Sequence, residues 1–154
     1  MSYKPISSRM SIAGHPIHPM LIHFPVAALL GLIATDFTFL ITHKLFWAKA
    51  GFWLVAVGTI GGALSSLIGL IDLLTVVRIR RLIMGWCHAL FAVMMLSLAT
   101  FNWMLRMPDP AAHIIPAGIY ITLLTSFLIL LTSLMGGHLV YEYGVGVEIK
   151  SHRV

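Results

Sequence analysis

The sequence predicts an all-α, integral membrane four-helix bundle with both termini cytoplasmic and a short Gly-rich extended tail at the C-terminal end. Three observations lead there. The 154 residues are 59% hydrophobic and 10% charged, with a mean hydropathy of +0.96, more apolar surface than a soluble core of this size encloses. Four apolar runs stand at about 20–41, 51–77, 82–105 and 114–140, and roughly 20 such residues cross the hydrocarbon of a bilayer. The joints around Lys44, Arg80 and Pro108 are too short to hold a further domain. The chain divides accordingly into a cytoplasmic N-terminal segment, 1–18, a four-helix membrane domain, 19–141, and a cytoplasmic tail, 142–154.

Orientation follows from the basic residues, because cytoplasmic loops retain positive charge. Lys4, Arg9, Arg78, Arg80, Arg81, Lys150 and Arg153 fall on the side of the two termini; Lys44, Lys49 and Arg106 fall on the other. This places a multi-pass protein in the cell's inner (plasma) membrane with both ends inside. Trp47, Trp53 and Trp103 gather at the outer boundary and Trp86, Tyr141 and Tyr143 at the inner one, as interfacial aromatics do. The net charge of +5 suits anionic lipid headgroups. It lacks the interleaved aromatic platform of a nucleic-acid interface, so no nucleic-acid partner is expected. A cleavable export signal is not expected either, since the first apolar run begins late and no small-residue cleavage pattern follows it. The single cysteine, Cys87, excludes an internal disulfide framework and a C-x-x-C-H haem attachment, and reads as packing.

Helix one opens behind the stretch "GHPIHPMLIHFP", residues 14–25. Pro19 suits a first-turn position, where its missing N–H costs nothing. Pro25 lies inside the helix, where it frees the carbonyl of Leu21 and is expected to kink the helix and aim His23. His23 continues along its face into Ala27 and Gly31, while Asp36 lies off that face and is expected to bond locally with Thr35 or Thr38. In helix two, Gly58, Gly61, Gly62, Ser65, Gly69 and Asp72 recur at three- and four-residue steps, a small-residue stripe for close helix approach. In helix three, His88 has Gly85 and Ala92 a turn away. Helix four ends in "GGHLVYEYGVGV", residues 136–147, where Gly136 and Gly137 permit close approach to His138 and Glu142 stands one turn on, placed to orient an imidazole. Gly144 reads as a helix stop before an alternating Gly–Val tail.

At 1.5 Å per residue these positions share a depth. His15, His18, His23, His88 and His138, with Asp72, are expected in one layer near the cytoplasmic face. Buried ionisable groups in a membrane are costly and tend to mark sites. The expectation is therefore a cofactor site, first of all haem b for one-electron transfer. His23 and His88 would be the axial pair and His18 and His138 a second. Arg78, Arg80 and Arg81 would receive the propionates, and a quinone or other redox partner would exchange the electron. The alternative is a non-haem ion, Zn, Fe or Cu, held by His15, His18, His23, His88 and His138 with Asp72 or Glu142 as oxygen ligands. Two further classes remain open. Ion or proton translocation would need a homo-oligomer to complete the path, because apart from Asp36 the titratable groups stop halfway; the other class is a structural or accessory subunit. No catalytic residue stands out, so no enzyme class is assigned.

The patterns G-H-P-x-H-P-x-x-x-H-F-P at 14–25, G-x-x-D at 69–72 and G-G-x-L-V-Y-x-x-G-V-G-V at 136–147 resemble the bacterial membrane family of domain of unknown function 2231. The resemblance extends from about Gly14 to Val147. It implies a four-helix membrane domain and supplies no activity, so the chemistry rests on the site.

Overall fold

The computed structural model describes residues 5–147. Lys4, Lys150, His152 and Arg153 lie outside the described residues. A short antiparallel hairpin comes first: β1, Ser11–Ile12, pairs with β2, His15–Pro16. Its turn residues Ala13 (φ 52) and Gly14 (φ 81) are both left-handed, the conformation that a two-residue hairpin with matching twist requires. Helices follow as α1, Ile17–Thr42; α2, Leu45–Thr75; the single turn α3, Val77–Arg80; α4, Ile83–Arg106; and, after a wide turn at Ile114–Gly118, α5, Ile119–Tyr141. The four long segments are each long and apolar enough to cross a membrane.

The long helices form a ring in which α1 packs on α2, α2 on α4, α4 on α5 and α5 back on α1. Leu29, Leu32, Val55, Met95, Ala99, Leu128 and Ile129 make the central core. Many large apolar side chains face outward, Phe24, Trp53, Ile83 and Tyr120 among them, which is how a bundle solvated by lipid disposes them. Residue 5 and residue 147 stand at one end of the bundle, termed here the cap end; the α1–α2 joint stands at the far end.

Pro25 does not break α1, which runs unbroken from Ile17 to Thr42. It is buried, and it packs into the groove left by the glycines of α2. A Cβ at Gly61 would meet the Pro25 ring at 3.5 Å, and one at Gly62 would stand 3.9 Å from it. The stripe of α2 thus serves close approach of α1, as its small residues imply. The buried residues of α1 are Pro25, Ala28, Leu29, Leu32, Thr35 and Asp36, a continuous helical stripe. His23, two residues before Pro25 and about 200° around the helix, falls on the opposite, exposed face.

The cap is built from both chain ends. Ile6 N–H donates to Gly144 O (2.9 Å) and Gly146 N–H donates to Ile6 O (2.7 Å), so the Gly–Val tail bridges the N-terminal segment through one isolated bridge while turning at Gly144 and Gly146. Gly144 (φ 63) and Gly146 (φ 76) supply the left-handed backbone this course needs. Ile6 then packs with Leu73 and Ile79 in a second small core. Asp72, nearly buried at the end of α2, accepts hydrogen bonds from the Ser8 hydroxyl and from the backbone N–H groups of Arg9 (2.8 Å) and Met10 (3.1 Å). Asp72→Ala is expected to release this segment at a cost of about 1–3 kcal/mol, since three part-buried donors lose their shared acceptor. Faster hydrogen exchange at the amides of Arg9 and Met10, with the helices still protected, is the readout.

Candidate functional site

Two polar layers cross the bundle. The layer nearer the far end joins three helices around Arg106, which is completely buried, and Asp36, which is 2% exposed. Arg106 donates from both terminal nitrogens to the Asp36 carboxylate, at 2.7 and 2.8 Å, a bidentate fork that suits guanidinium geometry. Its Nε donates to Asn102 Oδ1 (2.9 Å); Asn102 Nδ2 donates to Thr122 Oγ1 (2.9 Å); and Thr122 Oγ1 donates to Asp36 Oδ2 (2.8 Å). The ring of bonds closes on itself. Gly51 and Gly118 make room for the guanidinium, since a Cβ at either would stand 3.1 and 3.2 Å from its nitrogens. Asp36 therefore pairs across the bundle and not with Thr35 or Thr38, whose hydroxyls donate instead to the carbonyls of Leu32 and Ala34. Every member of this layer has its partners, which makes it a structural clasp with nothing left to offer a ligand.

The second layer, nearer the cap, contains histidines but only two of the five expected. His18 sits on the same face of α1 as Pro25, seven residues on, and so points into the bundle. Its Nδ1 lies 2.8 Å from the carbonyl oxygen of Ser65 and 3.0 Å from the Ser65 hydroxyl. His88 on α4 places Nδ1 3.0 Å from the carbonyl oxygen of Thr132 on α5. The two rings meet edge to face with centroids 6.3 Å apart. A carbonyl only accepts, so each Nδ1 carries the proton and each Nε2 presents a lone pair.

The imidazoles themselves fill the space that the small residues leave. A Cβ at Gly69 would stand 3.1 Å from His18 Nδ1, and one at Gly136 would stand 3.3 Å from His88 Cε1. Those glycines therefore admit the rings and not a macrocycle. The Nε2 atoms remain without a hydrogen bond among the described residues. They are not among the fully enclosed side-chain polar atoms that lack a partner, which are Thr59 Oγ1, Trp103 Nε1 and Thr125 Oγ1. Both Nε2 atoms are thus without a partner among the described residues and not fully enclosed.

The remaining candidates disperse. His23 is exposed on the outer face of α1, and His15 is exposed in the hairpin. His138 is exposed at the end of α5 with its ring 5.4 Å from that of Tyr143. Glu142 is exposed, and Asp72 is occupied by the N-terminal segment. Arg78 donates to the carbonyl of Pro5 (2.9 Å) and Arg80 to that of Leu74 (3.3 Å), while Arg81 is exposed. A polar depression of 190 Å³ in the cap is lined by Ser7, Ser8, Ser11, Gly14 and Gly146 among others, none of them a candidate ligand.

Among the described residues no group of three or more His, Cys, Asp or Glu side chains converges to hold a metal ion. The expected haem b site, the Zn, Fe or Cu alternative, and the electron transfer built on them are therefore corrected. The physical reason is rotational, since a shared depth does not give a shared direction. His23 and His18 lie five residues apart, about 140° around α1, so they cannot face one centre. Sequence reading missed Ser65 and Thr132 as imidazole anchors, and it missed Arg106, Asn102 and Thr122 as partners of Asp36. The spacing of Asn102 and Arg106, four apart and so on one helix face, was the available signal.

A family model described as "Predicted membrane protein (DUF2231)" matches residues 14–149. No curated protein matches, and no solved structure does.

Proposed function

The chain belongs to the DUF2231 family of predicted membrane proteins, and on that premise we propose that it is a membrane-resident binding protein for a lipid-soluble molecule with hydroxyl donors, of the quinol class. The observation that supports this is the pair of Nε2 atoms on His18 and His88 that are unpartnered among the described residues and not fully enclosed, with the Nδ1 atoms fixed on the carbonyls of Ser65 and Thr132. Two rings held in one tautomer form a preorganised pair of acceptors in the cap-side layer of the bundle. An acceptor left unbonded in hydrocarbon is costly, so a donor-bearing ring that reaches this layer gains two hydrogen bonds and keeps its apolar tail among lipids. The reading assigns recognition alone; no electron transfer is attached to it.

In this reading residues 1–18 and 142–154 are the cytoplasmic segments of an inner-membrane protein, and 19–141 is its membrane domain. The exposed Arg9, Arg80 and Arg81 then sit among anionic headgroups.

The test is equilibrium binding of a short-chain benzoquinol to the purified protein in lipid nanodiscs. His18→Phe and His88→Phe keep a ring in place and remove one acceptor each. Each is expected to weaken binding up to about tenfold, the value of one net hydrogen bond. Quinol binding that is absent in the wild type, or equal in all three proteins, overturns the proposal and assigns the lone pairs to water.

A further inference from the structure

His23 is an exposed imidazole on an apolar span: it lies six residues inside the cap end of the 26-residue α1, about 9 Å along the axis at 1.5 Å per residue, and two residues before Pro25, which packs on Gly61 and Gly62 of α2. His23 is exposed there, and no described residue bonds to it. Intramembrane histidines face a bundle interior or pair with another polar group; within one copy of this chain, His23 does neither.

The residues in line with it form a regular seam. Ala27, Leu30, Ala34, Phe37 and Ile41 follow His23 at steps of four, three, four, three and four, and every one is exposed. Alternating steps of three and four give the 3.5-residue period along which two helices wrap in a left-handed pair. Ala27 and Ala34, seven apart, recur at equivalent places in that period and let two backbones approach.

We propose that this face of α1 docks against the same face of a second copy, with the two His23 imidazoles hydrogen-bonded across the contact. A neutral imidazole holds one N–H donor and one lone pair on different ring nitrogens, so it complements its own copy, whereas a lipid tail offers neither group. A seam whose small positions repeat every seven residues likewise fits itself in a two-fold contact. Neither point depends on whether His18 and His88 bind a ligand.

The experiment uses the full chain in lipid bilayers, with Cys87→Ser as background. Ala34→Cys is expected to form a cross-linked dimer on mild oxidation, and Leu130→Cys, exposed on α5, is not. His23→Leu is expected to weaken self-association three- to twentyfold, about the range for one hydrogen bond between membrane helices, read by energy transfer as lipid dilutes the protein. His23→Gln, which keeps a donor and an acceptor, restores it. Because His23 is exposed and hydrogen-bonds to no described residue, thermal unfolding of the monomer is expected to stay unchanged in both variants. Failure of Ala34→Cys to cross-link, equal cross-linking at Leu130→Cys, or self-association indifferent to His23→Leu each overturns the proposal.

Discussion

Asp36→Leu is expected to destabilise the bundle by about 3–5 kcal/mol, because it leaves the Arg106 guanidinium buried and without its counter-ion. Arg106 is fully enclosed and its two terminal nitrogens are both spent on the Asp36 carboxylate. Nothing nearby replaces that carboxylate: Asn102 supplies one carbonyl oxygen, already bonded to Nε, and Thr122 one hydroxyl. Arg106→Leu strands the opposite charge and is expected to cost a comparable amount. The double variant Asp36→Leu/Arg106→Leu is expected to recover most of the loss, since it buries no charge and leaves the Asn102–Thr122 bond in place. Unfolding free energies of the four proteins in mixed micelles measure the coupling. Additive single-variant losses would mean that the pair is not the unit that matters.

The second large effect lies where α1 crosses α2. A Cβ at Gly58 would stand 2.5 Å from Leu29 Cγ and 2.6 Å from Leu29 Cδ2, and Leu29 belongs to the central core at 2% exposure. Gly58→Ala therefore pushes on a side chain that has nowhere to go, and is expected to cost about 1–3 kcal/mol by overpacking. Gly31→Ala is the control, because its Cβ would meet Leu54 Cδ1 at an ordinary 3.5 Å. Leu29→Ala in the Gly58→Ala background tests the mechanism: Leu29→Ala alone is expected to cost about 2–5 kcal/mol, and a double-variant loss smaller than the sum of the two single losses is expected only if contact with Leu29 is the cause.

The four spans were legible because the bilayer imposes a long, apolar composition that needs no tertiary knowledge. Helix bounds shifted where a polar residue extends a helix beyond the apolar run: α2 begins at Leu45, so Lys49 lies within it, and α4 ends on the buried Arg106. The site was legible only in part. His18 and His88 do meet in one layer, as their depths implied. What depth could not supply was rotation about each helix axis. Pro25 held the missing information: a proline in a glycine-bearing bundle packs well into the small-residue stripe of its neighbour, which turns His18 inward and His23 outward. The glycines that do face the imidazoles are Gly69 and Gly136, on helices other than those that carry the rings, a pairing that spacing within one helix does not announce. Asp36 was misread because its partner, Arg106, is 70 residues away in sequence, and local spacing is silent on such pairs.

The clasp between Ile6 and the segment Gly144–Gly146 fixes an order of events during synthesis. The N-terminal segment emerges first, yet its Ile6 N–H and C=O find their partners only after the last helix has left the ribosome. At roughly 5–20 residues per second, Ile6 waits on the order of ten seconds or more with its backbone groups on water and its side chain outside the Leu73–Ile79 pocket's finished form. Closure of the cap is thus a late step that waits on α5, and a bundle without α5 leaves the backbone groups of Ile6 without the partners they have in the finished fold.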